Sequence, residues 1–403
     1  MGLLMDVNST TENFTRRALW AQIDLDAAAH NMQVIRKHVG PHVRIAAVVK
    51  ANAYGHGAVE LARTFAANGA DCFAVSSLDE AVELRRYAGI KKDIFILGHT
   101  DGRRTEELLL YHVEPAVFNL KNAEFFSSEA SRLGQTLRVH VAIDSGMSRI
   151  GFLPDEESIA TITRIASLPA IEVHGIFTHF AVADEADKTF TRQQFERFMW
   201  VCSRLEDEGV RIPLRHCCNS AATLELPEYH LDMVRPGIIQ YGCEPSRAVS
   251  LAGYGFEPVM SLRCCVAHNK LIDAGSTVSY GRHFVCDQRR KIATLPVGYA
   301  DGYMRALSGK VDVLFHGHRV PQVGTICMDQ CMIDVTGEVN VRAGDEVVLF
   351  GRQGDQFIPI EELADKAGTI NYEIMCNINR RVPRVYIQNG QVVEREEYLF
   401  DKP

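Results

Sequence analysis

Residues 43–97 read VRIAAVVKANAYGHGAVELARTFAANGADCFAVSSLDEAVELRRYAGIKKDIFIL. Three short apolar, β-branched runs (43–49, 72–76 and 94–97) alternate with two Ala/Leu/Glu/Arg-rich stretches (58–68 and 78–87). Apolar runs that do not alternate with polar residues suit strands buried on both faces, and the longer amphipathic stretches suit helices. Strand, helix, strand in that order is the pattern of parallel βαβ units.

The rhythm continues outward. Further strand-like runs fall at 114–118, 137–143, 172–177, 214–218 and 233–238, with helical stretches at 105–111, 120–133, 156–167 and 191–208. Eight such units over about 200 residues are the count of a (β/α)8 barrel, with a doubly wound open sheet as the alternative. After Gly253-Tyr254-Gly255 the texture changes. Runs at 259–266, 291–296, 311–315, 319–323, 332–335, 346–350 and 384–387 read as strands, with one helical stretch near 360–367. The expected organisation is a loose segment 1–12, a barrel 13–252 and a β-strand-rich domain 253–403.

Composition narrows the function. The chain has 403 residues, 46% hydrophobic and 23% charged, with 43 Lys+Arg against 51 Asp+Glu for a net charge of −8. Those fractions are ordinary for a globular protein. An acidic balance argues against a nucleic-acid binder, which needs a basic face. No apolar run approaches the ~20 residues of a membrane span. The opening MGLLMDVNSTTENF lacks the apolar stretch of a secretory signal, and Asp6 stands where a myristoylation signal wants Ser or Thr. Eleven cysteines show no paired ligand spacing, so no metal site is expected, and scattered thiols suit a reducing cytoplasm.

Barrel chemistry sits where strands end. Lys50 directly follows the apolar run Ala46 to Val49. An ammonium at the end of a buried strand is costly unless it snorkels to the rim. A desolvated lysine of lowered pKa is the usual Schiff-base nucleophile. The residues alone leave both readings open.

Around Lys50 the segment VVKANAYGHG resembles the pyridoxal-phosphate (PLP) site of the alanine racemases, PLP enzymes of fold type III. The likeness continues in family order through DSGMSRIGF (144–152), HGIFTHFAVADE (174–185), CNSAA (218–222), VRPGIIQYG (234–242), VSYGRHF (278–284), LPVGYADG (295–302), GTICMDQCMIDVT (324–336) and RVPRVY (381–386). It implies a barrel followed by a β-domain, a homodimer with shared sites, and a role in supplying D-alanine for peptidoglycan.

The resemblance also implies roles. Lys50 carries the cofactor and acts as the base on one substrate face. Tyr54, Ser220 and Tyr372 contact the phosphate, together with the backbone N–H groups of Gly237 and Ile238. Glycine suits such a position because backbone donors must come close to an anion. Arg235 faces the pyridine nitrogen. An arginine can only donate, so the ring stays unprotonated and is a weaker electron sink, favouring quick reprotonation at Cα over transamination or decarboxylation. Tyr280, from the partner subunit, is the second base. A free tyrosine has a pKa near 10, and His179 with Arg235 forms the hydrogen-bond chain that lowers it. Arg149 faces the cofactor's phenolic oxygen and the substrate carboxylate. Met328, beside Asp329, lies in the carboxylate-binding segment, and Tyr299 lines the entrance.

One position departs from the pattern. Many family members carry a carbamylated lysine seven residues before the arginine matched by Arg149; here Ala142 stands there. A bound anion, water or a neighbouring side chain must orient Arg149 instead. A serine or broad-specificity racemase of the same fold remains an alternative, since a methylene or hydroxyl shifts selectivity only about 10–200-fold. Tyr372 narrows the pocket and favours alanine. A decarboxylase of the fold would pair the pyridine with a carboxylate, which Arg235 opposes. A non-catalytic PLP carrier would have no use for the β-domain bearing Tyr280.

Overall fold

A computed structural model describes residues 15–400; the expected loose segment 1–12 lies outside them. The chain divides into two compact units. One holds 28–53 and 57–257, the other the described residues up to Ala27, Tyr54–His56 and Pro258 onward.

The first unit is the (β/α)8 barrel. Its strands are β2 (Arg44–Val48), β3 (Cys72–Val75), β4 (Ile94–Ile96), β5 (Val113–Glu114), β6 (Ala116–Val117), β7 (Leu137–Ala142), β8 (Ile171–Phe177), β9 (Leu214–His216) and β10 (Met233–Val234). Every pairing among them is parallel, in the orders β10-β2-β3-β4-β5 and β6-β7-β8-β9. The run expected at 114–118 is thus two short pieces. Pro115 has no N–H to give the ladder, but its carbonyl still accepts from the His140 N–H at 3.0 Å. The other seam closes where Asp232 N donates to Arg215 O at 3.2 Å and Arg235 N to Cys218 O at 2.9 Å. The strand residues are almost all buried, the two-sided burial that parallel sheets require. Between strands run helices such as Ala58–Ala67, Leu120–Arg132, Glu156–Ala166 and Thr189–Asp207. Asn119 and Asp155 cap two of them, each accepting a backbone N–H three residues on.

The second unit is built on an eleven-stranded sheet. Its strands include β1 (Leu19–Asp24), which the sequence placed in the barrel segment 13–252. Instead β1 pairs antiparallel with Met260–Cys265 and parallel with Arg384–Gln388. Its segment LWAQID is mostly buried, and an apolar run does not say which sheet will take it. The expected strands of this unit all form, as does the helix Ile360–Ala367. Strands at His268–Ile272 and Gln391–Glu396 and a helix at Asn371–Cys376 add to them. Among the described residues no helix is long and apolar enough to cross a membrane.

Candidate active site

In the barrel, Lys50 follows β2, and there the chain winds the wrong way. Ala51, Asn52, Ala53 and Tyr54 have φ of 54°, 55°, 51° and 52°. None is glycine, and each costs about 1–2 kcal/mol relative to right-handed backbone. Local bonds hold the turn. Ala51 N donates to Glu80 Oε1 at 2.7 Å and Ala53 N to Val49 O at 2.9 Å. Asn52 accepts from Gly57 N at 3.0 Å and, through Oδ1, from Ala58 N at 2.8 Å. Glu80 is itself fixed by its capping box with Ser77. Strain retained at a strand exit, where it directs a half-buried lysine, is the pattern of a functional turn. Sequence gave no sign of it, because a left-handed run of ordinary residues has no compositional mark.

Arg235, just past β10, is 3% exposed. It donates to His216 Nδ1 at 2.8 Å, Thr178 O at 2.7 Å and Cys217 O at 3.2 Å, and its guanidinium lies 5.6 Å from the Phe177 ring centre. All three acceptors are neutral. Burial lowers its pKa to about 10, with Cys217 and Cys218 pulling up and Arg149 pushing down. At neutral pH it remains a cation and a donor only. His179 is half-buried. Desolvation first, then the charges of Arg235, Arg149 and Lys50, hold its imidazole well below its ordinary range. The three cations alone fix that sign, so His179 is neutral at pH 7. These four predicted residues therefore share one electrostatic neighbourhood.

Ser220 and Gly237 also meet. Ser220 is buried at the start of the short helix Ser220–Glu225, and its Oγ accepts from Gly237 N at 2.8 Å. Ile238, fully buried, opens the 3₁₀ turn that follows. Arg149 lies exposed on the 144–152 loop, where Asp144 Oδ1 accepts from Gly146 N at 3.0 Å and Ser148 N at 2.9 Å. Ala142 is 1% exposed, in an apolar cluster with Ala116, Phe177, Leu97 and Phe118.

The remaining predicted residues belong to the second unit. Tyr54 is buried, its ring 5.9 Å from that of Tyr372, and burial raises its phenol pKa strongly, with Cys376 adding to the shift. The loop beside it is locked: Gly55 has φ +84°, and a Cβ there would lie 2.3 Å from Met375 O. Tyr280 is 71% exposed, yet its backbone is tightly held. Ser279 adopts φ 67°, ψ −175°, a region nearly reserved for glycine. Its Oγ donates to Thr325 O at 2.5 Å, and Thr325 Oγ1 donates to Tyr280 O at 2.8 Å. Tyr299 and Met328 are also exposed. Tyr299 N donates to Cys327 O at 3.1 Å and Ala300 N to Met328 O at 3.0 Å, while Asp329 pairs with Arg381 at 2.7 Å.

The match to known proteins is extensive. Residues 23–245 match the family description "Alanine racemase, N-terminal domain" and 259–386 match "Alanine racemase, C-terminal domain". The chain belongs to the alanine racemase family. It is 47% identical over 383 residues to Alanine racemase 1 of Clostridium acetobutylicum, covering 95% of this chain and 99% of that protein. It is 49% identical over 372 residues to the alanine racemase of Desulforamulus reducens, covering 92% and 100%. Among solved structures, the Bacillus anthracis alanine racemase with bound L-Ala-P superposes with a TM-score of 0.90 at 39% identity, covering 96% of this chain and all of that one. Alanine racemases are isomerases that depend on PLP, and this chain is an isomerase of that family. The residues in the barrel suit that cofactor's chemistry. They comprise an amine at a strand exit, a buried obligate donor with only neutral acceptors, and a buried serine beside a glycine N–H. Reading single strand exits missed His216 and Thr178, which hold Arg235. The mark was available: His140 and His216 are histidines set in otherwise buried strands.

Proposed function

We propose that the protein is a cytoplasmic, PLP-dependent racemase that interconverts L- and D-alanine as a homodimer, supplying D-alanine for peptidoglycan. The observation that carries this reading is Arg235: a buried cation that can only donate, set among neutral acceptors. Such a residue suits a PLP enzyme that moves a proton and does nothing else.

When bound, PLP acidifies the substrate Cα–H. Lys50 holds the cofactor and takes or returns the Cα proton on one face. The partner subunit's Tyr280 does the same on the other face. Two groups are needed because inversion requires the proton to leave one side and arrive at the other. Arg235 donates toward the pyridine nitrogen and keeps it unprotonated. His179 joins Arg235 in tuning the tyrosine, and being neutral it can accept as well as donate. Ser220, Gly237, Ile238, Tyr54 and Tyr372 are assigned to the phosphate. Arg149 and the backbone at Met328 are assigned to the substrate carboxylate, and Tyr299 to the entrance. With alanine at position 142, no carbamate orients Arg149.

The test supplies PLP and L-alanine to the purified protein and follows both enantiomers by chiral chromatography. Equal amounts of L- and D-alanine at the end point are expected. Absence of D-alanine from protein that has taken up PLP overturns the alanine reading. Turnover of L-serine in its place assigns the broader racemase.

A further inference from the structure

Among the described residues Arg235 has no carboxylate in contact, yet a buried cation needs a counter-charge. One is reached through the barrel interior. His216 Nδ1 accepts from Arg235 Nη1 at 2.8 Å. His216 Nε2 lies 3.0 Å from His140 Nδ1, and His140 Nε2 lies 2.8 Å from Glu114 Oε2. The three side chains come from β9, β7 and β5, and all are nearly or fully buried. The rings have no freedom to turn. His140 stacks on Phe95 at 4.7 Å and 11°, and His216 stacks on Phe177 at 5.3 Å and 15°. Gly175 on β8 makes the space, for a Cβ there would sit 2.2 Å from His140 Nδ1.

The direction of every proton follows from the two ends. Arginine only donates, and an ionised carboxylate only accepts. Burial pulls the Glu114 carboxyl upward, but hydrogen bonds from His140 and His174 hold it well below the usual carboxylate range. Burial lowers both His140 and His216, and each is neutral at pH 7. A neutral imidazole has one donor and one acceptor. Glu114 therefore takes the His140 Nε2–H, which leaves His140 Nδ1 to accept from His216 Nε2–H. That in turn leaves His216 Nδ1 to accept from Arg235. The donors run one way, Arg235 to His216 to His140 to Glu114, and the two ends agree.

We propose that Glu114 is a positioning residue: the remote counter-charge of Arg235, acting through two neutral histidines of fixed tautomer. Other charged and titratable groups face it, Arg85 electrostatically. Arg138 Nη2 pairs with Glu114 Oε1 at 3.0 Å, and His174 Nδ1 lies 2.7 Å from Oε2. Arg138 also faces Asp93, which Arg44 neutralises at 3.0 Å. The Glu114, His140 and His174 ligand atoms lie within 4.8 Å of one another, but the guanidinium of Arg138 already supplies the cation there. Removing the carboxylate leaves Arg235 under-compensated and strengthens its donation to any ring nitrogen it meets. That consequence rests on the PLP reading above; the relay does not.

The experiment uses the full chain with ¹⁵N-histidine, without cofactor and then loaded with PLP labelled with ¹⁵N at the pyridine. In both states His140 and His216 are expected as neutral Nε2–H rings from about pH 7 to 8. An Nδ1–H form or a titrating ring at either position overturns the relay. In the loaded protein, Glu114→Gln is expected to shift the pyridine resonance, while Glu114→Asp, which keeps the charge, stays near wild type. An unshifted pyridine in Glu114→Gln, or equal shifts in both variants, overturns the role of Glu114. If Glu114→Gln does not fold, the wild-type tautomers and the Glu114→Asp resonance still decide. A chain that takes up no PLP defeats the functional reading while its histidines still report on the relay.

Discussion

Gly175→Ala tests how tightly the barrel interior is specified. Gly175 lies opposite His140 in the β7–β8 register. The new Cβ would lie 2.2 Å from Nδ1 and 2.4 Å from Cε1, where ordinary contact begins at 3.4 Å. The ring must retreat by about 1 Å, and Phe95 stacked at 4.7 Å blocks the retreat. Its bonds of 3.0 Å to His216 and 2.8 Å to Glu114 cannot both survive such a shift. Overpacking costs about 1–3 kcal/mol, and each buried polar group left unmade adds about 1–3 kcal/mol. The sum is at least about 3 kcal/mol, which lowers the Tm of a domain of this size by about 6–12 °C. Thermal unfolding by circular dichroism reads this directly. Gly337→Ala is the control, because its Cβ would meet nothing within 4 Å and its φ is unconstrained; it should change stability by less than about 0.5 kcal/mol. A Gly175→Ala Tm within about 1 °C of wild type would refute the packing argument.

Acid should weaken the fold in a defined window. His140, His216 and His179 are depressed in the folded state, so the unfolded chain binds more protons below their ordinary pKa of 6.5. Stability is then complete above that value and falls by about 1.4 kcal/mol per histidine per pH unit below it; urea unfolding at neutral and mildly acid pH should show the loss, and equal midpoints would contradict it. Tyr280→Phe removes only an exposed hydroxyl, so stability should stay within about 0.5 kcal/mol while racemisation falls at least about 100-fold. Lys50→Ala should leave no cofactor absorbance on the protein after dialysis; a retained band would take Lys50 out of its role. Mixed dimers of Lys50→Ala and Tyr280→Phe chains should recover some activity once subunits exchange, and none if each site is made within one chain.

Much of the barrel was legible because its strands are buried on both faces and separated by amphipathic helices. Each expected strand lies within a residue or so of an observed one, except where Pro115 breaks the fourth and where the last runs end early, at His216 and Val234. The allegiance of β1 was not legible, because LWAQID satisfies either sheet and only its partners from 260 and 384 onward decide. The left-handed turn after Lys50 was invisible for a different reason. Its residues are chosen against their own backbone preference, and it is held by a bond from Ala51 N to distant Glu80 and by Asn52 accepting from Ala58 N. Lys50, Arg149, His179 and Arg235 could be named from motifs. The partners that set the state of Arg235, from His216 to Glu114, lie on other strands; their one local mark is a histidine or glutamate set in a buried strand, which does not say what it contacts.

The most direct measurement follows the Cα hydrogen in deuterated buffer, starting from each alanine enantiomer, with wild type and Tyr280→Phe. For wild type the account predicts loss of optical rotation together with Cα deuterium from either enantiomer. For Tyr280→Phe it predicts that one enantiomer still exchanges its Cα hydrogen, through Lys50, without inverting. Inversion at wild-type rate in Tyr280→Phe, or exchange of both enantiomers at equal rates, would contradict a proton carried on two faces by two different residues.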